Sequence, residues 1–297
     1  MSLDLQAYLA ANKTVVDAAL DRFLPPVTTP PETIHKAMRY SVLAPGKRLR
    51  PILVIAGAEA VGGKAERVLE AACALEMVHA YSLIHDDLPA MDDDDYRRGR
   101  LTNHKVFGDA MAILAGDALL TLAFRLVADN ATRVAAPPFI GQIIAQVADA
   151  AGTFGMVGGQ VVDIESEGMT VSPETLDYIH LHKTAALIRV ALRTGAMLAG
   201  GQEADVAALT EAGESLGLAF QIVDDILDVE GNLEELGKTA GSDARKQKAT
   251  YPAVHGIEAS RARARDLVAR TKRALEPLGP AAGPIRALAD FVYERRS

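Results

Sequence analysis

Along this chain apolar residues return every three or four positions over long stretches, divided by short breaks rich in proline and glycine. That period belongs to helices, and no stretch alternates residue by residue long enough to demand a strand. Leu5, Tyr8, Leu9, Val15, Val16, Ala19, Leu20 and Phe23 share one stripe, which predicts a helix over residues 3–24. Pro25-Pro26 ends it, and the sequence PPVTTPP reads as a loop. Further helices are expected over residues 31–44, over the apolar run 52–61 with Pro51 in its first turn, and over 65–85, 108–130 and 138–151. Glycines punctuate residues 152–168 without ending a helical pattern, and Pro173 opens a long helix to about residue 198. The apolar run around residues 216–229 gives another, and two amphipathic helices over 258–275 and 281–295 finish the chain. Between them, residues 231–250 form a polar, basic, glycine-containing loop, long enough to read as a functional lid. The prediction is all-α: one domain over residues 1–297, a bundle of roughly ten or more helices around a central cavity.

The polar residues that break the apolar stripes carry the chemistry. Asp86, Asp87 and Asp92 to Asp95 put six carboxylates within ten residues, between two stretches of core helix. A charged loop capping a helix would explain such a run standing alone. A second group, Asp224, Asp225 and Asp228, lies inside an apolar helix. At about 100° per residue, Asp224, Asp228, Gln221 and Asp225 fall near 0°, 40°, 60° and 100°, on one face. Carboxylates gathered at a core repel one another and lose hydration unless a cation joins them. Hard oxygen donors of this kind suit Mg²⁺, which bridges readily to phosphates, and Mn²⁺ can substitute. Arg97, Arg98 and Arg100 follow directly, with the forked donors that match phosphate oxygens. Lys47, Arg48 and Arg50 read either as a solvated face or as a second basic group. His79 stands two turns before Asp86, and Lys183-Thr184 lies in a mostly apolar helix, where a lysine either snorkels or serves a site.

Composition narrows the classes. A chain of 297 residues with 49% hydrophobic content can bury a large core, and a net charge of −8 argues against a nucleic-acid surface. The lone Cys73 forms no internal disulfide, which fits a reducing, cytoplasmic setting. No run of 18 or more apolar residues is read as a membrane span, so no stable membrane insertion is expected. Neither a P-loop nor a dinucleotide fingerprint is present.

The motifs together resemble the trans-type isoprenyl diphosphate synthases, over nearly the whole chain. GKRLRP from Gly46, DDLPAMDDDDYRRG from Asp86, the Gly158 to Asp163 segment, HKTAALI from His182, FQIVDDILD and LGKTAGSDARKQKATYP occur in that family's order. The nearest likeness is to bacterial farnesyl diphosphate synthases, although Pro45 stands where a glycine is usual. The resemblance implies that an allylic diphosphate (dimethylallyl or geranyl) ionises with Mg²⁺ held by Asp86, Asp87, Asp92, Asp224, Asp225 and Asp228. Arg97, Lys183 and Lys238 are implied at the allylic diphosphate, and Lys47, Arg50, His79 and Arg98 at isopentenyl diphosphate. Thr184 and Gln221 are implied to steady the passing cation, and a homodimer is implied as the assembly. Tyr81 and Ser82, about one turn deeper than Asp86, are the expected floor for the growing tail, and an aromatic there resembles members that stop at farnesyl. A geranylgeranyl diphosphate synthase and an inactive partner subunit are the alternatives; a di-iron bundle lacks its Glu-x-x-His pairs.

Overall fold

In the computed structural model, residues 3–135, 137–230 and 250–295 are described. Long helices carry the chain: α1 Leu5–Phe23, α2 Glu32–Val42, α3 Leu49–Ala60 and α4 Leu69–Asp86. After a two-residue-per-strand hairpin come α5 Asn103–Phe107, α6 Asp109–Val134, α7 Pro137–Ala151, α8 Met156–Glu165 and α9 Pro173–Ile179. A π-helical turn, His180–Ala185, leads into α10 Ala186–Ala199, then α11 Glu203–Glu230, α12 Tyr251–His255, α13 Ile257–Ala274 and α14 Gly283–Glu294. The all-α expectation holds. The lid expected over residues 231–250, and Lys238 with it, lies outside the described residues except for Thr250.

Why α3 lies at the centre is plain from its sequence. Ile52, Leu53, Val54 and Ile55 are consecutive and nearly inaccessible, so the helix is apolar all round and must be covered on every side. It packs on α4 and α10. The α3–α10 contact is made backbone to backbone: Gly57 lies against the Leu192 carbonyl and Gly195 against that of Val54, where a β-carbon would collide. On the other flank, α6 lays Ala112, Ala115, Leu119 and Ala123 against α4. By length and hydropathy alone α6 qualifies as a membrane span, contrary to the sequence reading, yet one face of it is core. α11 buries Leu209, Leu216, Ala219, Ile222 and Ile226 between α10 and α13.

Two features depart from the sequence reading. The hairpin pairs Tyr96 with Leu101 and Arg97 with Arg100, closed by Arg98 (φ 53°) and Gly99 (φ 74°). Both central residues have the left-handed backbone of a type I′ turn, the tight turn that suits strand twist, and the two-residue strands are too short to leave a periodic signal. The helix expected from Pro173 forms without a break, but it widens into a π turn at the segment that carries Lys183 and Thr184.

The glycine contacts yield a stability test. Gly195→Ala should destabilise the protein by about 2 kcal/mol or more through overpacking. Gly141→Ala, exposed in α7 with open space around it, should instead stabilise it by about 0.5–1 kcal/mol. Urea unfolding of the two variants checks the opposite signs.

Candidate active site

α4 delivers the first aspartate motif at its C-terminal end. Asp86 is its last residue, and the chain then folds back so that the Asp92 amide donates to the Asp86 carbonyl at 2.8 Å, bringing the two aspartates together. Pro89 makes this a loop rather than another helical turn. Asp87 turns elsewhere. It is 3% exposed, and its Oδ1 accepts from Arg97 Nε at 2.7 Å and lies 2.6 Å from Nη2. Burial pushes its carboxyl up more than Arg97 pulls it down. The guanidinium of Arg97, which burial alone would lower, is held above its ordinary value by Asp87, Asp94 and Asp86.

A pocket between α2, α4 and the hairpin is lined by Arg48, Glu76, His79, Asp87, Arg97 and Arg98 among others. Arg48, left-handed at the N-cap of α3, is fully engaged inside it: Nη1 meets Glu76 at 2.9 Å, Nε meets Asp17 at 2.7 Å, and Nη2 donates to the Ala44 carbonyl. Arg98 donates to the Pro45 carbonyl at 2.8 Å, tying the hairpin to the loop before α3. The basic triplet is therefore divided: Lys47 is exposed, Arg48 is structural, and Arg50 has a buried Nε without a partner among the described residues. Burial, with Arg98 nearby, lowers Arg50, while Glu76 and Asp224 act against that. Burial also lowers Arg98, with Arg48 and Arg97 adding to the effect. His79 is pushed well down by burial and by Arg50, Arg98, Arg97 and Arg48. Positive charge crowded in this way destabilises itself, and an anion would relieve it.

The second motif is likewise divided. Asp224 is partly buried and held by Arg295, whose Nη2 reaches Oδ1 at 2.6 Å while its guanidinium covers the Phe220 ring at 4.2 Å. Asp225, expected as a metal ligand, is buried with both oxygens engaged by Gln221, the Tyr251 amide and His180. Asp228 is partly buried one turn beyond Asp224. Lys183 is turned to Asp163 at 2.6 Å, and Gly159 of α8 lies against its backbone. Thr184 donates to Gln221 at 2.8 Å. Tyr81 is 7% exposed, its ring edge-on to His85 at 5.8 Å and its hydroxyl pushed up to about 12 by burial and Asp86. Ser82 donates to the His79 carbonyl.

Sequence reasoning missed Glu76, Asp163, His180 and Arg295. Glu76 and His180 left a trace as polar residues inside apolar stretches of helix, and Asp163 only as the end of the Gly158 to Asp163 segment. A further group, Asp93, Asp95 and His104, has potential ligand atoms within 4.8 Å of one another. In it Asp95 is paired to Lys105 at 2.7 Å. Thr102 gives its proton to the Asp94 carbonyl, which leaves Nδ1 of His104 to donate to Thr102.

The donors fit a divalent ion: Asp86, Asp92 and Asp224 supply hard oxygens, and a guanidinium already stands at Asp224 as a cation would. An all-α bundle that sets two aspartate-rich segments and a crowd of arginines around one region defines the class of isoprenyl diphosphate synthases. The chain belongs to the polyprenyl synthetase family, which it matches over residues 31–277, and is thus a prenyltransferase. It is 46% identical to a geranylgeranyl diphosphate synthase of Cyanophora paradoxa, covering 100% of this chain and 98% of that one. It is also 46% identical to a dimethylallyltranstransferase of Fischerella ambigua, covering 99% of this chain and 84% of the other. Further relatives are geranylgeranyl pyrophosphate synthases of Capsicum annuum and Arabidopsis thaliana, among them the large subunit of a heterodimeric one. An apo crystal structure of an FPP/GFPP synthase from Zymomonas mobilis superposes with a TM-score of 0.87 at 34% identity, covering 99% of this chain and 100% of that one.

His79 gives a pH test. Because its folded-state pKa is depressed, the unfolded chain binds the proton first as pH falls below about 6.5, and folding stability drops with it. His79→Asn removes that contribution. Between pH 7.5 and 5.5 the wild type should lose about 1 kcal/mol more than the variant, read by urea unfolding at each pH.

Proposed function

We propose that this chain condenses isopentenyl diphosphate with allylic diphosphates to the twenty-carbon geranylgeranyl diphosphate, in place of the fifteen-carbon farnesyl product expected from the sequence. The observation that carries diphosphate binding is the crowd of Arg50, Arg97 and Arg98 around a depressed His79. The longer product is supported by the relatives and by α4 itself. Tyr81 lies about 140° round the helix from Asp86, whereas the small Ser82 lies about 40° away. The tyrosine ring turns to His85, whose Nε2 reaches the Ile113 carbonyl of α6 at 3.1 Å, and so the tail meets a serine before an aromatic.

In this reading Asp86, Asp92 and Asp224 hold Mg²⁺, with Mn²⁺ able to replace it, and Asp87 and Asp225 leave the ligand set. The bound ion supplies the positive charge that makes diphosphate a good leaving group. Arg97 and Lys183 add charge on the allylic side. Lys47, Arg50, His79 and Arg98 hold isopentenyl diphosphate so that its double bond faces the allylic carbon, a gain of position rather than of chemistry. His79 contributes a ring N–H. The proton lost from the condensed product goes to the released diphosphate.

The test is incubation with isopentenyl diphosphate and dimethylallyl, geranyl or farnesyl diphosphate, followed by dephosphorylation and chromatography. Twenty-carbon alcohol is expected from all three primers, with none formed in excess chelator. Ser82→Phe should stop the product at fifteen carbons or fewer. A wild type that ends at fifteen carbons and refuses farnesyl diphosphate restores the farnesyl reading.

The assembly is proposed as a homodimer through α6 and α7. Ile113 and Leu114 of α6 are 44% and 53% exposed, and Phe139 of α7 is 48% exposed. An apolar face of that kind calls for a cover. Sedimentation of the purified chain at micromolar concentration should give a dimer, and Leu114→Glu a monomer; a wild-type monomer would leave only a different chain as the partner.

A further inference from the structure

Asp225 draws its partners from three directions. Its Oδ1 accepts from Gln221 Nε2 at 3.0 Å, and its Oδ2 accepts from the Tyr251 backbone N–H at 2.8 Å and lies 3.3 Å from His180 Nε2. Every one of these groups can donate, as an acceptor-only carboxylate requires. The direction of the next bond then follows. With its NH₂ committed to Asp225, Gln221 can offer Thr184 only its carbonyl oxygen, and Thr184 Oγ1 donates to it at 2.8 Å. The threonine proton is thereby committed, so its lone pairs are what the hydroxyl has left for anything beside it.

The π turn makes this placement matter. Lys183 and Thr184 lie inside it, and α11 grips it at two points, His180 through Asp225 and Thr184 through Gln221. Gly217 of α11 lies against the Ala185 backbone, so the two elements are as close as a missing side chain allows.

We propose that Asp225 is a positioning residue that sets the polarity of an Asp225–Gln221–Thr184 relay, keeping the Thr184 lone pairs available to positive charge on the allylic fragment. The proposal rests on the prenyl-transfer reading above. Preorganised dipoles stabilise developing charge because they need no reorientation when it forms. The same dipole reversed opposes that charge. Asp225→Asn is nearly isosteric and reverses it. The asparagine oxygen keeps Tyr251 and His180, its NH₂ faces Gln221, the Gln221 amide turns over, and its NH₂ then donates to Thr184. The threonine proton is released toward the reacting fragment.

The experiment compares steady-state kinetics of the wild type, once it is shown to form prenyl product, with three sets of variants. Asp225→Asn should lower kcat by about 10- to 100-fold, with the KM for each diphosphate and the half-saturating Mg²⁺ within about twofold of wild type. In a Thr184→Val background the same substitution should change nothing. Gln221→Glu combined with Asp225→Asn should recover most of the rate, because a carboxylate at 221 accepts from both neighbours. Mn²⁺ binding, followed by electron paramagnetic resonance, should be the same in wild type and Asp225→Asn. Weaker Mn²⁺ binding with a rate restored by excess metal would make Asp225 a ligand and overturn the proposal. So would an undiminished Asp225→Asn effect in the Thr184→Val background, or no rescue by Gln221→Glu. A wild type without prenyl product overturns the functional reading instead, before any variant is compared.

Discussion

A carboxylate placed among apolar helices must find a counter-charge or enough donors, and the whole site is arranged around meeting that demand. Burial penalises ionised groups heavily unless they are paired and hydrogen-bonded. Glu76 has Arg48, Asp87 has Arg97, Asp163 has Lys183, Asp224 has Arg295, and Asp225 has three donors. Because these partners, Gln221 apart, come from different elements, the pairs also fix how those elements meet. Arg48 alone joins α1, the loop after α2, and α4 around the start of α3.

The arginines obey the opposite condition. Arg50 and Arg98 are both lowered by burial and by other positive groups, and neither recovers its ordinary value from the acids within reach. Acidic side chains are thus largely neutralised by protein partners, while the basic pocket retains an excess. That asymmetry separates the two halves of the proposed chemistry: in that reading Asp224 would exchange the Arg295 guanidinium for a metal ion, whereas the arginines would receive an anion.

The fold was readable because helices this long announce themselves by period, and the positions of α1, α6, α7 and α13 follow the apolar stripes closely. The hairpin was invisible, since two-residue strands have no period and the signal lay only in Arg98-Gly99. The π turn was invisible for a related reason: one extra residue in a turn leaves apolar content unchanged and shifts only the phase. In the site, residue type was legible and partnership was not. Angle puts Asp224 and Asp225 on one helix face, yet their partners divide them, and the angle says nothing about Arg295, Tyr251 or His180 arriving from elsewhere in the chain. The same limit applied to Tyr81. Counting residues gave its depth, but its direction was set by His85 and α6.

The glycine-to-carbonyl contacts between α3 and α10 bear on how such a protein can diverge. Where backbone touches backbone there are no rotamers to rearrange and no volume to trade, so that seam resists gradual change and keeps α3, which begins with the basic loop, in fixed register with the turn carrying Lys183. The opposite wall, where α4 meets α6 through alanines and single side chains, can accept one substitution at a time. New product sizes would arise on that wall, with the chemistry left undisturbed across the seam.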